Sequence, residues 1–280
     1  MPEDHTPDKT VVDVAVSDTG RNSSPAILVE KTDGITITKS MLGSLVAVLV
    51  GTLILRVAAQ AMGQMLGFYF NFISENYYPL TYTVTGLITA SFFITELFGS
   101  LILGALSDRY GRRLFIILGP VFGAIAVQIT SVTVVLWIIV FTRLLEGLST
   151  ASSVPSTLGY ISDATVGHPN LRARVVGLFE LTLVGGIAIG AKMGGELWRH
   201  FEGTSITLAG IHVISPAFAV NSFIYLVSLA IFIWGVRKTG HAHAKQIDGR
   251  SHLEHARLKL KHYGEILRSP EVWMFVPASP

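Results

Sequence analysis

Six apolar stretches, each of membrane-spanning length, decide what this chain can become. They cover residues 43–71, 83–106, 114–131, 133–160, 175–198 and 213–236. A hydrocarbon core needs ~20 predominantly apolar residues in a helix to cross it. In lipid every backbone polar group must be satisfied within the segment or across a closed barrel, so apolar runs of this length predict helices. The expected fold class is therefore an all-α integral membrane protein. Composition agrees: 50 % of residues are hydrophobic and 14 % charged, against about a quarter charged in ordinary globular domains. The 27 glycines suit helices that approach closely in lipid. With no cysteine, neither a disulfide framework nor a thiolate metal site can form.

Residues 1–40 are polar, with Pro2, Asp4, Pro7, Asp8, Asp13 and Asp18 and no apolar core of a signal peptide. They read as a disordered tail that cannot bury enough apolar surface to fold. The transmembrane domain is expected over 41–236. Lys and Arg then set the orientation. With a cytoplasmic amino terminus, every Lys and Arg falls on the inner side except Arg199 outside and Arg56, Arg143 and Lys192 within helices. The expectation is a multi-pass protein of the cell membrane with its amino terminus in the cytoplasm. Tyr69, Tyr77, Tyr78 and Tyr82 crowd the first outer loop, as an interfacial aromatic belt would.

Between the second and third stretches lies a tight charged loop, Gly104-Ala-Leu-Ser-Asp108-Arg109-Tyr-Gly111-Arg112-Arg113-Leu114. Its spacing G-x-L-x-D-R-x-G-R-R resembles the loop between helices two and three of the major facilitator superfamily of secondary transporters. The resemblance implies a six-helix half-bundle built as a 3+3 inverted repeat. Residues 237–269 would be the cytoplasmic central loop. Residues 270–280 would open the second transmembrane half, the rest of which is missing. The loop would act as a cytoplasmic latch, with Asp163 at the end of the fourth helix pairing with Arg112. The implied partners are the lipid bilayer, a small-molecule substrate, protons as coupling ion and the carboxy-terminal half. Neither a cofactor nor nucleic acid is implied.

Two further patterns point to the drug/proton antiporter branch. Arg143-Leu-Leu-Glu146-Gly147 resembles that branch's fourth-helix motif R-x-x-x-G, whose Arg assists proton transfer. Glu146 departs from the pattern by placing an acid beside the Arg. In the fifth helix Gly177, Gly186, Gly190, Gly194 and Gly195 resemble the antiporter motif G-x8-G-x3-G-P-x-x-G-G. Ala191 stands in the place of Pro, which removes an expected kink. The glycines are expected to pack helices together.

Ionisable groups inside a membrane are costly and mark functional sites by default. Arg56, Gln60 and Gln64 share one face of the first helix by i+4 spacing. Arg56 either lines a cavity that meets substrate or sits in a fixed ion pair. Glu96, mid-way along the second helix, is either a proton carrier or the partner of Arg56 or Arg143. Glu180 and Lys192 lie too far apart on the fifth helix to pair with each other. His241, His243, His252 and His255 offer metal-ligand spacing, but no second cluster supports a site and a solvated linker explains them, so no metal is expected.

These features predict a proton-coupled exporter of small organic compounds working by alternating access. An uptake porter or facilitator for sugars, organic acids or other nutrients on the same fold is the alternative. An enzyme is not expected. No H-E-x-x-H or P-loop pattern occurs, and Gly147-Leu-Ser149-Thr150 lacks the closing Gly of an intramembrane serine protease.

Overall fold

Helices make up almost all of the computed structural model, which describes residues 39–208 and 210–236. They are α1 (Lys39–Asn76), α2 (Tyr82–Tyr110), α3 (Arg112–Ser131), α4 (Leu136–Ala164), α5 (Pro169–Phe201) and α6 (Pro216–Gly235). The strands β1 (Ile206–Leu208) and β2 (Ile211–Val213) form an antiparallel hairpin between α5 and α6. Residue 213, where the sixth apolar stretch was expected to begin, is thus in a strand, and Pro216 starts the helix. Pro169 starts α5 in the same way, since a first-turn proline forfeits no intrahelical bond. The amino-terminal tail, the histidine-bearing connector and the opening of a further helix lie outside the described residues.

Several helices outrun their apolar stretches. The 38 residues of α1 reach roughly 57 Å at about 1.5 Å per residue, well beyond a hydrocarbon core of about 30 Å. Among the described residues, five helices are long and apolar enough to span a membrane. The exception is α4, which has the length but is rich in Ser and Thr. Its hydroxyl face is buried, including Thr142, Ser149, Thr150, Ser152, Ser153, Ser156 and Thr157. That polarity is hidden among neighbouring helices, so average hydropathy understates how deeply α4 is enclosed.

The packing follows one pattern. α1 packs against α5 and α6, α4 packs against α2 and α3, and α3 packs against α6. Exchanging α1, α2 and α3 for α4, α5 and α6 leaves these pairings unchanged. Hydrogen bonds fasten the crossings. Ser149 Oγ donates to the Gly119 carbonyl at 2.6 Å, Asn221 Nδ2 to Ala58 O at 3.0 Å, and Ser228 Oγ to Gly51 O at 2.8 Å. Such bonds link helices where lipid supplies no hydrophobic drive for association.

At one end of the bundle aromatic side chains pack together. Tyr69 is fully buried, stands edge-on to Phe218 at 5.1 Å, and donates its hydroxyl to Thr133 O at 2.7 Å. Tyr78 donates to Val134 O. Both therefore pin the α3–α4 turn instead of forming a belt. Tyr77 and Tyr82 are the exposed members of the expected group.

Candidate functional site

The expected charged loop between α2 and α3 is a single residue. Asp108 and Arg109 occupy the last turn of α2, Arg112 and Arg113 the first turn of α3, and Gly111 alone joins them. Gly111 has φ of 103° and donates its N–H to Ser107 O at 3.0 Å. A side chain is strained at that φ, which is why glycine closes the turn. Gly104 serves another purpose: a Cβ there would stand 3.5 Å from Pro155 of α4, so α2 comes close to α4 at this point.

Arg112 is the hub of this end. Its guanidinium pairs with Asp108 on α2, approaches Asp163 Oδ2 on α4 at 3.4 Å, and donates to Ser107 Oγ at 2.9 Å. It lies directly against Gly159, where any Cβ would collide with it. Arg113 donates to Ile233 O at 2.8 Å, in the last turn of α6, where a cation also meets the negative end of the helix dipole. Arg109 is exposed and lies 5.8 Å from the Tyr110 ring. One turn thereby ties α2, α3, α4 and α6 together. Both carboxylates are about half exposed, so pairs of this kind contribute only ~0–1 kcal/mol to stability. Their importance is positional.

A second polar cluster lies mid-bundle. Arg143 and Glu146 form an ion pair one turn apart on α4, both almost fully buried. Arg143 also stands 5.1 Å from the centre of the Phe92 ring on α2. Gly147 meets the Phe92 carbonyl and Thr95, and this contact brings the two helices close enough for that stacking. Tyr225 of α6 is fully buried, with its ring against Gly123 and its hydroxyl without a hydrogen-bond partner among the described residues. Glu146, Arg143 and Arg56 lie within its electrostatic reach.

Arg56 is half-buried on α1 and forms no ion pair among the described residues. Glu96 and Glu180 are the acids within its electrostatic reach among the described residues. Glu96 is half-buried, while Glu180 and Lys192 are both exposed on α5. Arg143 does not use Glu96, because Glu146 already occupies it. The Arg56, Gln60 and Gln64 stripe meets α5 glycine by glycine: Arg56 Cβ against Gly186, Gln60 Cβ against Gly190 and Gln64 Cβ against Gly194. Gly177 and Gly195 have no neighbour at their Cβ positions among the described residues. They sit off this ridge, so the described helices do not use them for packing.

The sequence matches the profile of the Major Facilitator Superfamily over residues 37–279. The chain belongs to that superfamily. Its members are membrane transporters that move small molecules, not enzymes. Among relatives, this superfamily chain is 27 % identical to Multidrug resistance protein 1 of Bacillus subtilis (strain 168) over 150 residues, 54 % of this chain and 35 % of that protein. It is 33 % identical to the class C tetracycline resistance protein of Escherichia coli over 112 residues, 40 % and 28 % of the two chains. It is 28 % identical to D-xylose-proton symporter-like 2 of Arabidopsis thaliana over 142 residues, 49 % and 28 %. The matched part spans about a third of the length of these relatives. As a superfamily member with several apolar helices, the protein is a multi-pass membrane protein.

Sequence reasoning did not single out Tyr225, Ser107, Gly159, Phe92 or Thr52. A lone phenol within the apolar run of α6 was a legible signal for Tyr225. Gly159, four residues before Asp163, was a legible signal for a side chain lying across α4. Nothing in the sequence marked Phe92 or Thr52.

Proposed function

We propose that this chain is the amino-terminal six-helix half of a proton-coupled exporter of small organic compounds at the cell membrane, with its amino terminus in the cytoplasm. The exchange symmetry of the helix pairings supports a 3+3 inverted repeat, the architecture of transporters that rock around a midplane site. The single observation that carries the reading is Arg112. It joins Asp108 on α2 to Asp163 on α4 through contacts too exposed to matter much for stability, as a reversible latch requires.

The coupling acids are Glu96 and Glu146. A proton taken up by either shifts the balance between inward-open and outward-open states by its differential affinity for them. Gln60, Lys192 and Glu180 line the route between the halves or its rim. A second six-helix half, either further along the same protein or a second copy of this chain, completes the pathway, since one bundle cannot open alternately to both sides. Resemblance to multidrug and tetracycline resistance proteins supports export.

The test uses inverted membrane vesicles from cells expressing this chain in its genomic reading frame. Ethidium and carboxyfluorescein serve as a cationic and an anionic probe. Energised vesicles should accumulate at least one probe, and an uncoupler should abolish the uptake. Accumulation that is insensitive to an uncoupler would refute proton coupling. Probe loss from energised vesicles would favour the uptake reading, which resemblance to the xylose–proton symporter keeps specific.

A further inference from the structure

We infer that the crevice between α1 and α4 is an anion-binding subsite, which takes one oxygen of a carboxylate, sulfonate or phosphate on the substrate. The inference deepens the transport reading and rests on it for the word substrate, though not for binding. The crevice is lined by Thr52, Arg56, Ser149, Thr150, Ser153 and Thr157 with three aliphatic side chains. It is open on one side, and its free space is about 10 Å³, room for about one water-sized atom.

What it demands is an acceptor. Thr52 and Arg56 are one turn apart on the same face of α1. The Thr52 hydroxyl and the Arg56 Nε–H are both buried and both without a hydrogen-bond partner among the described residues. Across the crevice Ser149 Oγ donates to Gly119 O and Ser153 Oγ to Ser149 O, and neither oxygen accepts from the Thr52 hydroxyl or Arg56 Nε–H. No carboxylate forms an ion pair with Arg56 among the described residues.

Buried polar groups are nearly always satisfied, and two adjacent orphan donors call for one external oxygen. A guanidinium donor makes that bond charge-assisted, hence stronger than a neutral one. Every charged or titratable group near Arg56 bears on the prediction. Glu96, Glu180 and Tyr225 are those within electrostatic reach. Glu96 on α2 competes with an incoming anion. Arg143 does not add to the site's charge, because Glu146 neutralises it.

The experiment measures binding, so a failure of transport does not confound it. The chain in lipid nanodiscs is titrated calorimetrically with p-toluenesulfonate and with phenyltrimethylammonium, a cation of matched ring size. The sulfonate should bind more tightly by about tenfold, the scale of one charge-assisted hydrogen bond. Arg56→Gln and Thr52→Val should each erase that preference. Arg56→Lys should retain part of it, and Glu96→Gln should strengthen it. Circular dichroism checks the fold of each variant, and Glu96→Gln remains decisive if Arg56→Gln does not fold. Equal binding of the two probes would overturn the inference. So would tighter binding of the cation that disappears in Glu96→Gln.

Discussion

Arg143 and Glu146 show how one residue changes the meaning of its neighbour. A buried guanidinium alone would be an uncompensated charge, and Glu146 one turn later on the same helix removes that cost. Taking away a single partner of a buried pair costs roughly 3–5 kcal/mol, whereas replacing both by apolar groups is often near neutral. Glu146→Leu should therefore lower the thermal midpoint of the chain in nanodiscs sharply, and adding Arg143→Met should restore most of the loss. Equal destabilisation by single and double variants would show that the pair is not a unit. Gly111 supplies the second residue-scale prediction. Gly111→Ala forces a side chain to φ of 103° and ψ of 130°, outside the left-handed helical well and close to backbone held essentially by glycine alone, at a cost of roughly 1–3 kcal/mol. The same melting experiment reads that cost, and no loss would mean that the turn adopts another conformation.

At the scale of the helix, α5 and α1 dock through a register of three glycines against three polar side chains. Gly190 is buried against the Val57 carbonyl and Gln60. Gly190→Leu should destabilise by about 1–3 kcal/mol through overpacking, while Gly177→Leu, with open space at its Cβ, should stay within about 0.5 kcal/mol. Comparable losses at both positions would contradict the ridge. This contrast also marks how far the sequence could be read. The glycine spacing is visible in one dimension, but its division into a docked ridge and two outlying members depends on which face of α5 meets α1. The six helices were legible because lipid-length apolar runs have few other folded forms, and α4 was found despite its hydroxyls. The one-residue turn at Gly111 was not legible, since Asp108 and Arg109 look the same in a loop as in a final helical turn. The mid-bundle cluster was half legible. Its charges stood out against apolar surroundings, but the choice of Glu146 over Glu96 as the partner of Arg143 is a matter of geometry. Tyr69 was misplaced because an interfacial tyrosine and a buried one differ only in what they touch.

Across the whole molecule, the turn at Gly111 and the opposite end with Tyr77 and Tyr82 should face different sides of the membrane. Because the sequence has no cysteine, single substitutions report this without background. A membrane-impermeant maleimide should label Tyr82→Cys in intact cells and Arg109→Cys in inverted vesicles only. Labelling of both from one side would break the proposed topology. The central claim is that the Asp108–Arg112–Asp163 contacts are a latch of a transport cycle and not a structural brace. The most direct measurement is probe accumulation in energised inverted vesicles by Asp108→Asn beside the unaltered protein, at matched amounts in the membrane. A latch predicts loss of accumulation with the thermal midpoint unchanged; undiminished accumulation by Asp108→Asn would contradict it.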